Sequence, residues 1–259
     1  MSMWPFNQAF VINLDRDTER LAYQELQLLK LDIPFERFAA INIRESTIDK
    51  SQYIQEPNRL KLSEQGCLLS HVHVWHEAKR RGLDWTLIFE DDAITHLHKE
   101  VLQTKINQVF RDQTFDILYL GKCLDRCKLH QSLAPDYVET KAPLCLHAYI
   151  IRQSAIDKLL AGLPTQQPID VYVSETIRSG QLKAVAFHPS LFSQDTVCYD
   201  SNLRSNVESC YNLFECREVT LDVVANHVKY YGQKNGWLIL LLIFILLIAF
   251  LILLFLRYR

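Results

Sequence analysis

Several features that mark other protein classes are missing from this chain of 259 residues. Its formal net charge is −2 and no basic cluster stands out, which excludes the positive footprint of a nucleic-acid-binding protein. The first residues have neither the basic region nor the long apolar run of a signal peptide. No Asn-x-Ser/Thr sequon and no internal repeat occur. The length suits one sizeable domain or two small ones.

The cysteines also lack a metal-binding pattern. No Cys-x-x-Cys pair occurs, the number is odd and the spacings are irregular, so a zinc site built from the cysteines is not expected. We expect free, buried thiols in a reducing compartment. The seven positions are Cys67, Cys123, Cys127, Cys145, Cys198, Cys210 and Cys216.

The most informative stretch runs from Trp85 to Ile94. Its apolar beginning, Trp85 to Phe89, predicts a buried strand that ends in Glu90, Asp91 and Asp92. Because side chains alternate along a strand, Glu90 and Asp92 should share one side, with Asp91 opposite. Two carboxylates on one side suit Mg²⁺ or Mn²⁺. The alternative is a solvated acidic loop.

Periodicity and capping residues predict alternating strands and helices, the pattern of an α/β fold with a parallel sheet. Segments 44–62 and 122–144 are interpreted as loops, and 190–235 has little periodicity. The predicted strands are 10–14, 35–43, 85–89, 116–120, 148–151 and 184–187, and the predicted helices are 18–30, 63–82, 97–110, 154–163 and 171–178.

Two of these helices have a predicted buried face. The first should bury Leu21, Leu28 and Leu29, with Ala22 and Leu26 beside them. On the second, His71 is either a hydrogen-bonded core residue or a ligand. The face predicted for that second helix consists of Cys67, His71, Val74, Trp75 and Ala78.

The C-terminal segment 237–256 is twenty consecutive apolar residues, followed by Arg257, Tyr258 and Arg259. As a helix it would span about 30 Å, the thickness of the hydrocarbon core of a bilayer. Trp237 and Tyr258 occupy the positions of interfacial aromatics. The segment predicts a transmembrane helix that inserts as a tail anchor. With no signal peptide ahead of it, the preceding domain is expected in the cytosol.

Five stretches, in order, resemble glycosyltransferase family 25, which includes bacterial lipooligosaccharide glycosyltransferases and animal collagen galactosyltransferase domains. The resemblance covers about residues 8–195. It leaves 196–236 as an extension and 237–256 as the anchor. The stretches are Phe10-Val-Ile-Asn-Leu-Asp-Arg-Asp-Thr-Glu-Arg20, Leu62-Ser-Glu-Gln-Gly-Cys-Leu-Leu-Ser-His71, Leu87-Ile-Phe-Glu-Asp-Asp92, Asp116-Ile-Leu-Tyr-Leu-Gly121 and His147-Ala-Tyr-Ile-Ile151.

The resemblance implies a single GT-A-type nucleotide-sugar-binding domain. It implies inverting transfer of a hexose, with galactose favoured, from a UDP-sugar to a glycan, lipooligosaccharide or protein hydroxyl. The acidic triplet then looks like the Asp-x-Asp element of that fold, here with Glu90 in the first place. It would hold Mn²⁺ or Mg²⁺ through Glu90 and Asp92, and His188 is a candidate further ligand.

Other site residues follow partly from the residues and partly from the resemblance. Arg16 and Arg20, with Asn13 at the same strand-to-helix turn, suit a diphosphate, and Asp91 joins this donor group. The alternative is that the arginines pair with nearby acids. Inversion needs a general base, and Asp170 resembles the acidic position of the family. Asp170 could instead be a helix N-cap. Glu175 and Asp195 are weaker candidates.

One rival interpretation is not enzymatic. The chain could be a membrane-tethered sugar-binding or scaffold protein that kept the fold and lost turnover. The complete acidic triplet favours the enzyme.

Overall fold

The computed structural model describes residues 4–195 and 216–217. The predicted anchor, 237–256, lies outside the described residues, and so does 196–236 apart from 216–217. Among the residues that are described, no helix is long and apolar enough to cross a membrane.

The described chain forms a mixed α/β fold around an eight-stranded sheet in the order β2-β1-β3-β9-β5-β10-β8-β7. The central strands are β1 (Gln8–Asn13), β2 (Glu36–Ala39), β3 (Trp85–Glu90), β5 (Ile117–Gly121), β9 (Ala148–Arg152) and β10 (Ala184–Phe187). The helices are α1 (Thr18–Lys30), α2 (Leu62–Arg80), α3 (Lys99–Asp112), α4 (Gln153–Ala161) and α5 (Ile169–Arg178).

The strand directions decide where a site forms. Strands β1, β2 and β3 pair in parallel, while β9 runs antiparallel between β3 and β5. The carboxyl ends of β1, β2, β3, β5 and β10 therefore meet at one edge of the sheet. In α/β sheets, ligands bind outside such an edge.

Both faces of the sheet are buried because its strands are apolar on both sides. In β1, Phe10 and Ile12 belong to one core cluster, whereas Ala9 and Val11 belong to the other. Helices α2, α4 and α5 supply side chains to the first cluster, and α1 and α3 supply them to the second. The α/β prediction is confirmed, with a mixed rather than a purely parallel sheet.

The segment 122–144, predicted as a loop, contains strands. Strand β6 (Leu124–Asp125) comes first, then a hairpin of β7 (Gln131–Ala134) and β8 (Tyr137–Thr140), and β8 joins the sheet beside β10. The proline at position 135 misled the prediction because it lies in the hairpin turn. Two further short strands, β4 (Ala93–Ile94) and β11 (Ser193–Gln194), pair with each other, and β12 (Cys216–Arg217) pairs with β6.

The apolar stripe predicted for α1 is confirmed at Leu28 but wrong at Leu29. Leu26 and Leu29 are exposed, whereas Leu28 is buried together with Gln24 and Gln27. The Nε2 atoms of both glutamines donate to the carbonyl oxygen of Ala93, and Gln27 Oε1 accepts from the backbone N–H of Thr95 at 2.9 Å. Helix α1 thus uses buried amides to hold the chain that follows the acidic triplet.

The buried face predicted for α2 is confirmed. His71, Val74, Trp75 and Ala78 are all buried, and Cys67 is half-buried. The helix begins at Leu62, where the Glu64 carboxylate accepts from the backbone N–H of Lys61 at 2.8 Å. This bond satisfies a backbone group at the end of α2 that faces the site.

Candidate active site

A cleft of about 680 Å³ opens at the carboxyl ends of β1, β2 and β3. The acidic triplet forms part of its wall, as do the beginnings of α1 and α2. The cleft is large enough for a small-molecule ligand. Its polar lining residues are Arg16, Asp17, Arg20, Asn42, Arg44, Lys61, Ser63, Cys67, Ser70, His71, Glu90, Asp91, Asp92 and Gln194.

Asp91 points toward α1 and has a partner on each carboxylate oxygen. Arg20 Nη1 lies 3.1 Å from Oδ1, and Asn13 Nδ2 donates to Oδ2 at 2.7 Å. Burial raises the pKa of Asp91, against the lowering effect of Asn13 and Arg20. Asn13, Arg20 and Asp91 were each predicted to contact the nucleotide sugar. In the structure Asp91 holds both Asn13 and Arg20.

Glu90 points the other way, toward α2. Its Oε1 atom lies 3.1 Å from His71 Nε2 and 3.9 Å from Cys67 Sγ. Burial acts to raise the pKa of Glu90, but the hydrogen bond from His71 and the rings of His71 and His147 lower it below its ordinary value. The opposite directions of Glu90 and Asp91 agree with the alternation predicted from the sequence.

A chain of hydrogen bonds orients His71. Trp75 Nε1 donates to Tyr149 Oη at 3.0 Å, and Tyr149 Oη lies 2.9 Å from His71 Nδ1. Because indole can only donate, the tyrosine accepts from Trp75, and its own hydroxyl can donate to His71 Nδ1. In that arrangement the ring proton of His71 is on Nε2 and is donated to Glu90. His71 is thus a hydrogen-bonded core residue that also reaches the cleft.

Asp92 differs from the other two acids in having an unsatisfied oxygen. Its Oδ2 accepts from Gln194 Nε2 at 3.0 Å, whereas its Oδ1 is buried with no hydrogen-bond partner. Burial and the charges of Glu90 and Asp91 raise the pKa of Asp92 well above its ordinary value. A buried carboxylate oxygen without a partner is costly. A divalent cation would relieve this cost, so the donor set fits Mg²⁺ or Mn²⁺.

The basic side chains of the cleft lie along its rim. Arg16 is largely exposed, and its Nε atom lies 3.8 Å from Asp17 Oδ1. Arg44 and Lys61 line the same cleft near the beginning of α2. The rim offers charges that suit a diphosphate beside the acidic wall.

Gly66 on α2 packs closely against the chain that follows β2. A Cβ added at this position would lie 2.9 Å from the carbonyl oxygen of Ile41.

Asp170 does not line the cleft; it lies in the first turn of α5, near enough to Glu90 for that charge to act on it. Its carboxylate accepts from the backbone N–H of Val171 at 2.8 Å and from that of Cys145 at 3.3 Å. Burial raises the pKa of Asp170, the backbone hydrogen bonds lower it, and the Glu90 charge raises it further. The N-cap of α5 is Pro168, so the alternative role as N-cap does not hold.

His188 is not brought to the acidic triplet. It follows β10, which lies three strands away from β3 in the sheet, a separation of roughly 14 Å at the usual strand spacing. Its ring packs against His130 at a centroid distance of 5.3 Å. The predicted ligand set of Glu90, Asp92 and His188 is therefore too widely spaced for one ion.

The two weaker candidates for the general base, Glu175 and Asp195, lie in different surroundings. Glu175 pairs with Arg178 on the outer face of α5. Asp195 is buried next to the triplet, and its backbone N–H donates to the carbonyl oxygen of Asp92 at 2.7 Å.

The expectation of free thiols is wrong for two cysteines. Cys123 and Cys145 form a disulfide across 22 residues of sequence, while Cys67 is free. The disulfide ties the start of the 122–144 segment to the residue whose backbone N–H meets Asp170. Irregular spacing concealed the pair because the two residues become neighbours only through the sheet.

Two of the motif stretches meet near the acidic triplet. The carbonyl oxygen of His147 accepts from the backbone N–H of Glu90 at 2.9 Å. A Cβ added to Gly121 would lie 2.2 Å from His147 Nε2 and 2.4 Å from the carbonyl oxygen of Phe192. Only glycine fits at this position, and the contact explains why β5 ends in glycine.

Sequence reasoning missed three supports of the site: Gln24, Gln27 and Gln194. Each is a polar side chain whose partners are distant in the sequence, so no local pattern marks it. The role of Cys67 beside Glu90 was missed as well, although its helical spacing from His71 placed both residues on one face.

The fold and the cleft together define an α/β protein with an acidic ligand site at its strand ends. A family model described as "Glycosyltransferase family 25 (LPS biosynthesis protein)" matches residues 6–173. The chain belongs to glycosyltransferase family 25. The resemblance drawn from the sequence motifs is confirmed.

Curated relatives include active and inactive proteins by name. The mouse "Inactive glycosyltransferase 25 family member 3" is 25% identical over 195 residues, covering 67% of this chain and 32% of the relative. Human "Procollagen galactosyltransferase 2" is 26% identical over 218 residues, covering 72% of this chain and 34% of the relative. The chain thus spans about a third of these two relatives. A Haemophilus influenzae protein described provisionally as a glycosyltransferase is 27% identical over 215 residues, covering 74% of this chain and 72% of its own length.

Proposed function

We propose that this protein transfers a hexose, with galactose favoured, from a UDP-sugar to a hydroxyl of a glycan, a lipid-linked saccharide or a protein, with inversion. The observation that carries the proposal is the buried, unpartnered Oδ1 of Asp92 beside Glu90 in the wall of the cleft. Membership of glycosyltransferase family 25 supports the reaction class. A GT-A-type arrangement of the site accords with its position at the strand ends.

The protein would hold Mn²⁺ or Mg²⁺ through Asp92, with Glu90 as the second carboxylate. Such an ion supplies Lewis-acid neutralisation of charge on a leaving diphosphate. Glu90 is already oriented by His71, whereas Asp92 has an oxygen with no competing partner. Asp92 is therefore the principal ligand in this proposal, and His188 is left out of the ligand set.

The donor would be oriented by the basic rim and by the group around Asp91. Arg16 lies in the cleft and is largely exposed, so it suits a phosphate contact. Arg20 is held against Asp91 and lines the cleft, and its charge partly offsets the rise in the pKa of Asp92 that burial and the neighbouring acids cause. Asn13 fixes the other oxygen of Asp91. Asp91 would act by positioning Arg20, and Arg20 by binding the donor.

Asp170 is the proposed general base. Its raised pKa brings the carboxyl closer to the pH at which proton transfer is efficient. In an inverting transfer the base takes the proton of the acceptor hydroxyl, and the hydroxyl oxygen attacks the anomeric carbon as the UDP leaves. For this role the acceptor hydroxyl would have to reach Asp170 from the α5 side of the site.

Turnover assays test the proposal against the non-catalytic alternative, which the inactive relatives favour. The full chain is incubated with Mn²⁺ and UDP-galactose, UDP-glucose or UDP-N-acetylglucosamine, and release of UDP is followed with and without acceptor sugars. We expect acceptor-dependent release with one donor. Binding of a UDP-sugar with no release from any donor or acceptor would instead identify a sugar-binding or scaffold protein.

We also propose that segment 237–256 anchors the protein in a membrane with the catalytic domain in the cytosol. The disulfide Cys123–Cys145 acts against this orientation, because disulfides persist mainly in oxidising compartments. Protease treatment of sealed vesicles that carry the full, tagged chain decides between the two sides. Digestion without detergent supports the cytosolic side, and protection of the domain overturns it.

A further inference from the structure

A second group of ligating atoms lies on the α2 side of the cleft. Cys67 and His71 are four residues apart on one face of α2, and Glu90 ends β3 opposite them. The atoms Cys67 Sγ, His71 Nε2 and Glu90 Oε1 all lie within 4.8 Å of one another. All three residues line the cleft. The set combines sulfur, nitrogen and oxygen, unlike the all-carboxylate pair of Glu90 and Asp92.

The spacing of these atoms is close to that of a tetrahedral zinc site. With zinc–sulfur bonds of about 2.3 Å and zinc–nitrogen and zinc–oxygen bonds of about 2.0 Å, neighbouring ligand atoms are about 3.3–3.5 Å apart. The His71 Nε2–Glu90 Oε1 distance is 3.1 Å and the Cys67 Sγ–Glu90 Oε1 distance is 3.9 Å. A shift of Cys67 Sγ toward the other two atoms, both within 4.8 Å, would close the set around one ion.

The surroundings of His71 also suit a ligand. Its second ring nitrogen, Nδ1, already lies 2.9 Å from Tyr149 Oη, and Trp75 holds that hydroxyl in place. Metal-bound histidines usually carry such a hydrogen bond on the other nitrogen, because it fixes the orientation of the ring. Once Nε2 binds an ion, the ring proton is on Nδ1 and is donated to Tyr149 Oη, which then accepts from both Trp75 and His71 and turns its own hydroxyl proton away from the ring.

We infer that Cys67, His71 and Glu90 form a site for a thiophilic divalent cation, with Zn²⁺ as the best match. The site leaves a fourth position open toward the cleft, the arrangement of zinc sites with an exchangeable ligand. Binding exchanges the Cys67 thiol proton for the cation and releases that proton to water. Thiolate, carboxylate and Zn²⁺ together are neutral, so no net charge is buried.

The inference goes beyond the proposed transfer reaction and does not depend on it. The two sites share Glu90, however. A zinc ion at Cys67 and His71 would take that carboxylate from the Mn²⁺ or Mg²⁺ held by Asp92. Zinc should therefore act as an inhibitor of any activity that needs the hard cation.

Cobalt substitution provides a direct readout that needs no turnover. The full chain is titrated with Co²⁺, and the near-ultraviolet charge-transfer band that reports a cobalt–thiolate bond is recorded. We expect one equivalent of Co²⁺ to produce the band and Zn²⁺ to abolish it by displacement. Cys67→Ser should lose the band, and His71→Ala should weaken Zn²⁺ binding about tenfold or more.

Two control variants make the result specific. His76→Ala removes an exposed histidine of the same helix that lies outside the set, and it should keep the band. Asp92→Asn should also keep it, although the hard-cation proposal predicts that this variant loses Mn²⁺. The two proposals can therefore fail independently.

A band that survives in Cys67→Ser would overturn the inference, as would the absence of a band in folded wild-type protein. Circular dichroism establishes that each variant is folded. If Cys67→Ser does not fold, Glu90→Gln takes its place, and unchanged Zn²⁺ affinity in that variant overturns the assignment equally.

Discussion

Two neighbouring acids, Asp91 and Asp92, occupy contrasting surroundings. Asp91 faces α1, where Arg20 and Asn13 satisfy both of its oxygens. Asp92 faces the cleft with one buried oxygen that lacks a partner. The protein compensates the first acid internally, and we propose that a bound cation compensates the second. A complete set of partners therefore indicates a positioning role, and an incomplete one indicates ligand binding.

Asp92→Asn should break this contrast with the largest effect. Losing a charged ligand of the cation should lower the rate of sugar transfer by about a thousandfold. The control is Asp84→Asn, which removes an exposed acid at the other end of the same strand and should leave the rate unchanged. A near-normal rate for Asp92→Asn would show that sugar transfer does not need Asp92 as a ligand.

The same substitution should stabilise the cation-free protein. Because the folded-state pKa of Asp92 is raised, its contribution to stability is present at low pH and is lost as the pH rises through that pKa. At neutral pH, Asp92→Asn should therefore raise the melting temperature, and the gain should shrink as the pH falls. Thermal unfolding in the presence of a chelator measures the difference, and a lowered melting temperature at neutral pH would contradict it.

Asp170→Asn extends the comparison to an acid that does not line the cleft. A general base contributes about a hundredfold or more, so transfer should fall by that factor. Binding of UDP should stay unchanged, because the carboxylate does not line the cleft. Calorimetry with UDP tests this point, with wild-type protein alongside. A large loss of UDP affinity would move Asp170 to the donor side.

The disulfide Cys123–Cys145 lies next to Asp170, and among the described residues it has no counterpart beside Asp91. Closing a loop of this length contributes roughly 3 kcal/mol to the free energy of unfolding. Cys123→Ser and Cys145→Ser should each lose that amount, measured by urea unfolding without reductant. Equal stability with and without reductant in wild-type protein would show that the bond is not formed.

His188→Ala should give the smallest effect. The residue lies three strands from β3, so Mn²⁺ affinity should stay within about twofold of wild type, the range of a substitution outside the ligand set. A tenfold loss of Mn²⁺ affinity would return His188 to the ligand set.

The acidic residues of the site could be predicted from the sequence, whereas the glutamines that hydrogen-bond to them and to the chain beside them could not. Glu90 and Asp92 were found because an apolar strand leads into them, and the opposite direction of Asp91 followed from strand alternation. The partners of Asp92 could not be predicted, because Gln194 is 102 residues away and reaches it only through the pairing of β11 with β4.

The failures share a physical cause. Helix α1 buries Gln24 and Gln27 in place of Leu26 and Leu29, because backbone groups near Ala93 satisfy their amides. His188 was placed with the triplet because strand order is not visible in a sequence. Local sequence patterns indicate which apolar residues can be buried. Which polar residues are buried depends on tertiary contacts, and these are not visible in a local pattern.

The most direct test of the account is the binding of Mn²⁺ to the full chain, followed by electron paramagnetic resonance of the free ion with UDP present. The account predicts one site in wild-type protein, the same site in Asp84→Asn and no detectable site in Asp92→Asn. Equal binding by Asp92→Asn and wild type would contradict it, because the unpartnered oxygen of Asp92 would then have no ion to bind.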